Sequence, residues 1–155
     1  MSRILKRVMM IALTVSVVSG YAVARQKRSA EPAAAREIRG LLQRQVQAWN
    51  RHELEGFMQG YWNSPDLTFF SAGTIVSGWE ETLRRYRVRY QSGQNKMGHL
   101  EFTSIKIEIL SPVTAFVRGR FYLTETETDS SGLFTLVFRK FPNGWKIVHD
   151  HTSTA

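Results

Sequence analysis

Cysteine is absent from all 155 residues. That excludes disulfide bonds, thiol catalysis, thiolate metal sites and lipid attachment through a cysteine. No internal repeat is present either. A strong charge excess is also missing. The formal net charge is +8, from 21 Lys and Arg against 13 Asp and Glu. Arg3, Lys6 and Arg7 fall in an N-terminal leader, which leaves 18 basic against 13 acidic residues and a balance of +5. Arg25, Lys27 and Arg28 belong to a linker, so the remaining excess does not point to nucleic acid. Finally, no acidic residue stands out as a buried general base, which counts against an enzyme.

What is present begins with "MSRILKR", a basic start, then the apolar "VMMIALTVSVVSGYAVA". Ala22–Ala24 has the small-x-small form of a cleavage site, so residues 1–24 read as a secretory signal peptide. An uncleaved anchor is the alternative, since the run is near the lower length limit for spanning a bilayer. The expected mature protein is periplasmic or secreted, with no stable membrane anchor. Residues 25–33, "RQKRSAEPA", read as a flexible linker, and residues 34–155 as one domain.

Periodicity orders that domain. In "AAREIRGLLQRQVQAWN", Ile38, Leu41, Leu42, Val46 and Trp49 recur at helical spacing. Gln45 falls inside that apolar stripe and needs a partner or a cavity. "HELEGFMQGYW" is a second short amphipathic helix, broken by "NSPD". "LTFFSAGTIVSG" reads as a hairpin turning at Ala72-Gly73. Ser77 and Glu80 fit a capping box that opens a third helix, "GWEETLRRYRVRYQS". Its arginines Arg84, Arg85, Arg87 and Arg89 read either as an anion patch or as a solvated face. From His99 the pattern switches to period two, giving four strands. The order is α+β, with helices on one face of a sheet. Both faces of several strands carry apolar residues, which predicts a homodimer through the sheet.

These segments, with "QAWNRHELEGFMQGYW", "MGHLEF" and "GLFTLVFRKFPNGWKIVHDHTS", resemble the SnoaL-like, DUF4440 branch of the nuclear transport factor 2 (NTF2)-like superfamily. The resemblance spans residues 34–153. It implies an NTF2-like cone, in which three N-terminal helices close over a curved, mostly antiparallel sheet of about six strands and leave a pocket at the open end. Relatives include cofactor-free isomerases, dehydratases and cyclases, along with non-catalytic binding and oligomerisation domains, so fold transfers and function does not. His52-Glu53 stands where relatives carry Gly-Asp, which asks His52 for a left-handed turn.

The candidate chemistry centres on "GWKIVHDHTS". His149 and His151 lie two apart, so on a regular strand they share a face. Trp145 and Ile147 share that face as well. Burying them outweighs burying Val148 by several kcal/mol. This register argument sends both histidines inward as candidate acid–base groups, and Asp150 to the rim. Gln45, Trp49, Tyr61, Tyr86, Tyr90 and Arg120 are the candidate ligand-binding residues; Arg120 could equally pair with Asp150 across strands. H-x-H without a third ligand is a weak metal signal, so neither metal nor cofactor is expected. Two functions stay open: a pocket binding a largely apolar small molecule, catalytic or not, and a binding or oligomerisation module of the cell envelope. An open cavity of a few hundred Å³ with both histidines exposed to it would favour the first, and a cavity filled by side chains the second.

Overall fold

The computed structural model describes residues 31–92 and 96–155. The leader and most of the linker lie outside these residues. Three helices, α1 (Ala33–Asn50), α2 (Leu54–Met58) and α3 (Trp79–Tyr90), accompany six strands. The strands are β1 (Thr68–Ser71), β2 (Thr74–Ser77), β3 (His99–Ser111), β4 (Thr114–Thr124), β5 (Ser130–Phe141) and β6 (Gly144–Thr154). They form one sheet in the order β2-β1-β6-β5-β4-β3. All neighbours are antiparallel except β1 and β6. Among the described residues no helix is long and apolar enough to cross a membrane.

The local reasons are visible in the sequence. α1 buries the stripe Ile38, Leu41, Leu42, Gln45 and Trp49, as its helical spacing requires. It ends on His52, whose φ is 62°. The His52 amide donates to the Trp49 carbonyl (2.7 Å) and the Glu53 amide to the Ala48 carbonyl (2.9 Å). That pair is a Schellman ending, and it forms here on a residue with a Cβ. The β1–β2 turn falls on Ala72-Gly73, both with positive φ, as a two-residue hairpin with a primed turn needs.

Two expectations are corrected. The second helix is only Leu54–Met58, a single turn and a half. The capping box does not form: Ser77 ends β2, and Gly78 holds the cap position of α3 without a side-chain cap bond. The Gly78 and Trp79 amides instead donate to the Leu67 (2.7 Å) and Ser64 (3.0 Å) carbonyls. The loop before β1 therefore does what the serine was expected to do.

The core is apolar and continuous, with Ile38, Leu54, Phe138 and Val117 all fully buried. α1 is tied to β3 by polar contacts at its end. Trp49 Nε1 donates to the Met97 carbonyl at 2.7 Å, and Asn50 exchanges bonds with the Leu100 backbone.

One irregularity decides where the chemistry lies. β6 pairs with β5 as Phe138↔Ile147 and then as Val137↔His149, so Val148 has no partner. This is a β-bulge, two residues facing one. It sits where β6 changes its neighbour on the other side. Ile147 pairs with Tyr61, held by bonds from the Ile147 amide to the Gly60 carbonyl and from the Trp62 amide to the Ile147 carbonyl. From His149 onward the neighbour is β1. Past the bulge the inward face carries Asp150 and Thr152.

Candidate functional site

A cavity of about 120 Å³ lies among α1, α3 and the inner face of the sheet. Helices contribute Gln45, Trp49 and Tyr86; strands contribute Phe102, Phe134 and Asp150. Gly119 lies on the inner face of β4, and a Cβ there would meet the Phe134 ring at 2.4 Å, so its bareness makes room for that aromatic.

Asp150 is the charged residue of the interior, 4% exposed. Tyr61 donates its hydroxyl to Asp150 Oδ2 at 2.7 Å, and Thr152 donates to Oδ1 at 2.9 Å. Burial pushes the carboxyl up from 3.8 to about 6, against the lowering effect of these two hydrogen bonds and of nearby His151. Removing a carboxylate from water costs more than two hydroxyl donors return. The Tyr61 and Tyr86 hydroxyls are both raised well above the usual phenol range, first by burial and then by the Asp150 charge. They therefore remain protonated donors beside it.

Tyr61 is placed by backbone pairing. The segment Gly60–Trp62 lies against Ile147, one step before the bulge. Gly60 is needed there, because a Cβ would lie 2.4 Å from the Gln45 side chain. Gln45 in turn donates to the Phe57 carbonyl at 3.0 Å, which satisfies the polar residue in the apolar stripe.

Of the residues singled out from the sequence, Gln45, Trp49, Tyr61, Tyr86 and Tyr90 line the cavity. His149, His151 and Arg120 are not among its lining residues. The inward placement of the histidines is corrected by the bulge. Trp145 and Ile147 are buried as the burial argument requires, at 4% and 1% exposure, but alternation is broken at Val148 before it reaches His149. His149 instead contacts Thr68 Oγ1 through Nδ1 at 2.7 Å and packs edge-on to Phe70, with ring centres 4.8 Å apart. Desolvation and the neighbouring His151 lower its pKa. His151 is exposed. Arg120 pairs in register with Leu133, while its neighbour Phe121 lines the cavity, so Arg120 lies on the outer face. The cavity is also smaller than the few hundred Å³ set as the mark of an open ligand pocket.

Asp150 is the residue that sequence reasoning missed. No local signal marks a bulge at Val148, and without it Asp150 reads as a rim residue. Arg85 and Arg89 also line the cavity, on the helix where the arginine run was noted. Among the described residues no group of three His, Asp or Glu side chains could hold a metal ion.

Sheet, helices and a cavity with a buried acid place the chain among NTF2-like α+β proteins. Residues 38–155 match the SnoaL-like domain family, and the chain belongs to it. The match is to that family and does not carry the DUF4440 label. An NTF2-like protein of unknown function from Shewanella oneidensis is 39% identical, covering 77% of this chain and 98% of that one, with a TM-score of 0.72. An NTF2-like superfamily protein from Salmonella enterica is 20% identical over 77% of this chain and 89% of its own, with a TM-score of 0.68. A ketosteroid isomerase-like protein from Erwinia carotovora is 19% identical over 80% and 98%, with a TM-score of 0.67. The last two speak for the fold alone. No curated protein matches the chain.

Proposed function

We propose that the chain binds a compact, largely apolar small molecule in this cavity and moves a proton on it with Asp150. The observation that carries the reading is the buried Asp150 carboxyl, held by Tyr61 and facing the cavity. A carboxyl with a pKa of about 6 is mostly ionised at neutral pH and still a useful proton acceptor. It would take a proton from carbon beside a carbonyl and return it at a second position, deliver it to a departing hydroxyl so that water leaves, or deliver it to the alkoxide formed when the enolate carbon closes on a second carbonyl. The buried hydroxyl of Tyr86 is the donor available to the oxygen that gains charge, since the Tyr61 proton is held on Asp150. The reaction is thus a cofactor-free isomerisation, dehydration or cyclisation, with Asp150 in the role first given to His149 or His151.

The test is hydrogen–deuterium exchange of a panel of one-ring ketones, followed by NMR in deuterated buffer. Wild type should exchange the protons beside the carbonyl of a bound ketone, and Asp150→Asn should bind it without exchange. Binding without exchange in the wild type would leave a non-catalytic binding module. The cavity volume of about 120 Å³ restricts either reading to a compact ligand.

The same reading has the protein exported and dimeric. The leader-like residues 1–24 support export, and N-terminal sequencing of the envelope protein should find a start near Arg25. Exposed apolar residues on the outer sheet, Ile75 at 67% and Leu133 at 53%, support a homodimer there. Sedimentation at tens of micromolar, where a standard interface of about 1,600 Å² holds, should find it.

A further inference from the structure

The arginines of α3 divide into two pairs. Arg84 forms an ion pair with Glu81 at 2.6 Å, and Arg87 with Glu55 at 2.6 Å. Both are ordinary solvated contacts. Arg85 and Arg89 lie one turn apart, so they share a helix face, and both line the cavity. Among the described residues neither forms an ion pair with a carboxylate. The Arg89 guanidinium stands 5.4 Å from the centre of the Tyr90 ring, which keeps it along the cavity wall. A solvated-face explanation covers Arg84 and Arg87. It does not explain why the two cations outside close ion pairs, Arg85 with only the longer-range attraction of Glu81, are the ones on the cavity side.

The cavity therefore has two polar ends. At β6 the Asp150 carboxyl is occupied by Tyr61 and Thr152 and by no arginine. At α3 stand Arg85 and Arg89. Between them the wall is aromatic, with Trp49, Phe57, Phe69 and Phe134. An adjoining groove shares Arg89, Tyr90, Leu123 and Ser130 with the cavity and adds Lys96 and Glu127, so cations still outnumber carboxylates at this end. The space of about 120 Å³ suits a body of about one ring, since an engineered cavity of about 150 Å³ holds benzene.

We propose that the ligand is a compact organic carboxylate with a body of about one ring, its carboxylate held between Arg85 and Arg89 and its far end presented to Asp150 and Tyr61. A guanidinium fork matches a planar carboxylate with two parallel hydrogen bonds. The inference rests on the cavity being a ligand site, and it adds the charge and the orientation of the ligand. The carbon to be deprotonated would then lie nearest β6.

The test uses matched probes on the purified protein: benzoate with benzyl alcohol, 3-phenylpropanoate with 3-phenylpropan-1-ol, and hexanoate with hexan-1-ol. Affinities are read by NMR titration at low salt and again at high salt. In at least one pair the acid should bind about tenfold or more tightly than the alcohol, with the preference shrinking as salt screens it. The variants Arg85→Gln and Arg89→Gln should each reduce that preference, lowering acid affinity more than alcohol affinity. Because Arg89 is exposed, its variant keeps the test open even if Arg85→Gln folds poorly. Arg84→Gln with Arg87→Gln should keep the preference in full. Equal binding of acid and alcohol in every pair would overturn the carboxylate assignment and leave the ligand site standing. So would a preference that survives Arg89→Gln, or one that Arg84→Gln with Arg87→Gln removes equally. If no probe of either kind shifts the signals of Tyr61, Tyr86 and Asp150, the ligand site and this inference fall together.

Discussion

The two halves of β6 follow different rules. From Gly144 to Ile147 the strand obeys simple alternation, with Trp145 and Ile147 buried and Lys146 between them half-buried. From His149 onward the alternation is equally regular but inverted, with Asp150 buried at 4% and His151 exposed. Val148 alone separates the halves. One unpaired residue thus moves a carboxyl into the interior and two imidazoles out of it. A bulge re-aims a side chain without changing the composition of the strand.

Deleting Val148 removes the boundary between the halves. His149 would still face Val137 and Asp150 would still face Leu136, now in an unbroken ladder with β5, so Asp150 should stay inside and both histidines outside. The cost falls on the other side of β6, where the Tyr61 and Thr68 pairings are anchored on either side of the bulge and would be pulled out of step. We expect a loss of about 3 kcal/mol or more. Urea unfolding measures it, and a deletion that costs almost nothing would mean that the extra residue is not needed to join the two neighbours.

The next effect is at Tyr61. Tyr61→Phe removes a donor from a buried carboxylate and should cost about 2–3 kcal/mol at pH 7, because charged groups lose most when a partner disappears. The same change should raise the Asp150 pKa further, since the lost hydrogen bond lowers it. Stability at pH 4 should suffer less, because there the carboxyl is largely protonated.

Asp150→Asn works in the opposite direction. Burial raises this carboxyl from 3.8 to about 6, so the folded chain holds a proton that the unfolded chain has released. The stability this group contributes is present below about pH 4 and is lost as pH rises through about 6. A shift of two units corresponds to about 3 kcal/mol. Asparagine removes that penalty but has one acceptor oxygen for the two hydroxyl donors, so the variant should gain about 1–2 kcal/mol at pH 7 and nothing at pH 4. Denaturant curves at the two pH values check it. A site that gains stability when its acid is removed is one that holds the acid for function.

The smallest effects belong to the outer half. His149→Ala should cost about 1 kcal/mol, the worth of its contacts with Thr68 and Phe70. The exposed His151→Ala should stay within about 0.5 kcal/mol. Neither should change affinity for a ligand in the cavity, as titration with a bound probe would reveal.

Much of this was legible in the sequence. The helical stripe of α1, the Ala72-Gly73 turn and the four long strands follow from period, turn chemistry and length. Gln45, Tyr61 and Tyr86 were legible as residues lining a cavity, because polar groups on buried stripes must face a partner or a cavity. Asp150 was not, because its inward turn depends on Tyr61 and β1 meeting β6 on either side of Val148. Those contacts join residues some 80 positions apart, and no window of sequence contains them. The same holds for the arginines of α3. Their spacing divides them into faces, but only the folded sheet says which face meets the cavity.

The most direct test of the account is the titration of the Asp150 side-chain carbon by NMR, with Asp150→Asn identifying the signal. A buried carboxyl on the cavity wall predicts a midpoint near 6. A midpoint at or below about 4, the value of a solvated aspartate, would put Asp150 outside the cavity and contradict the assignment of the site.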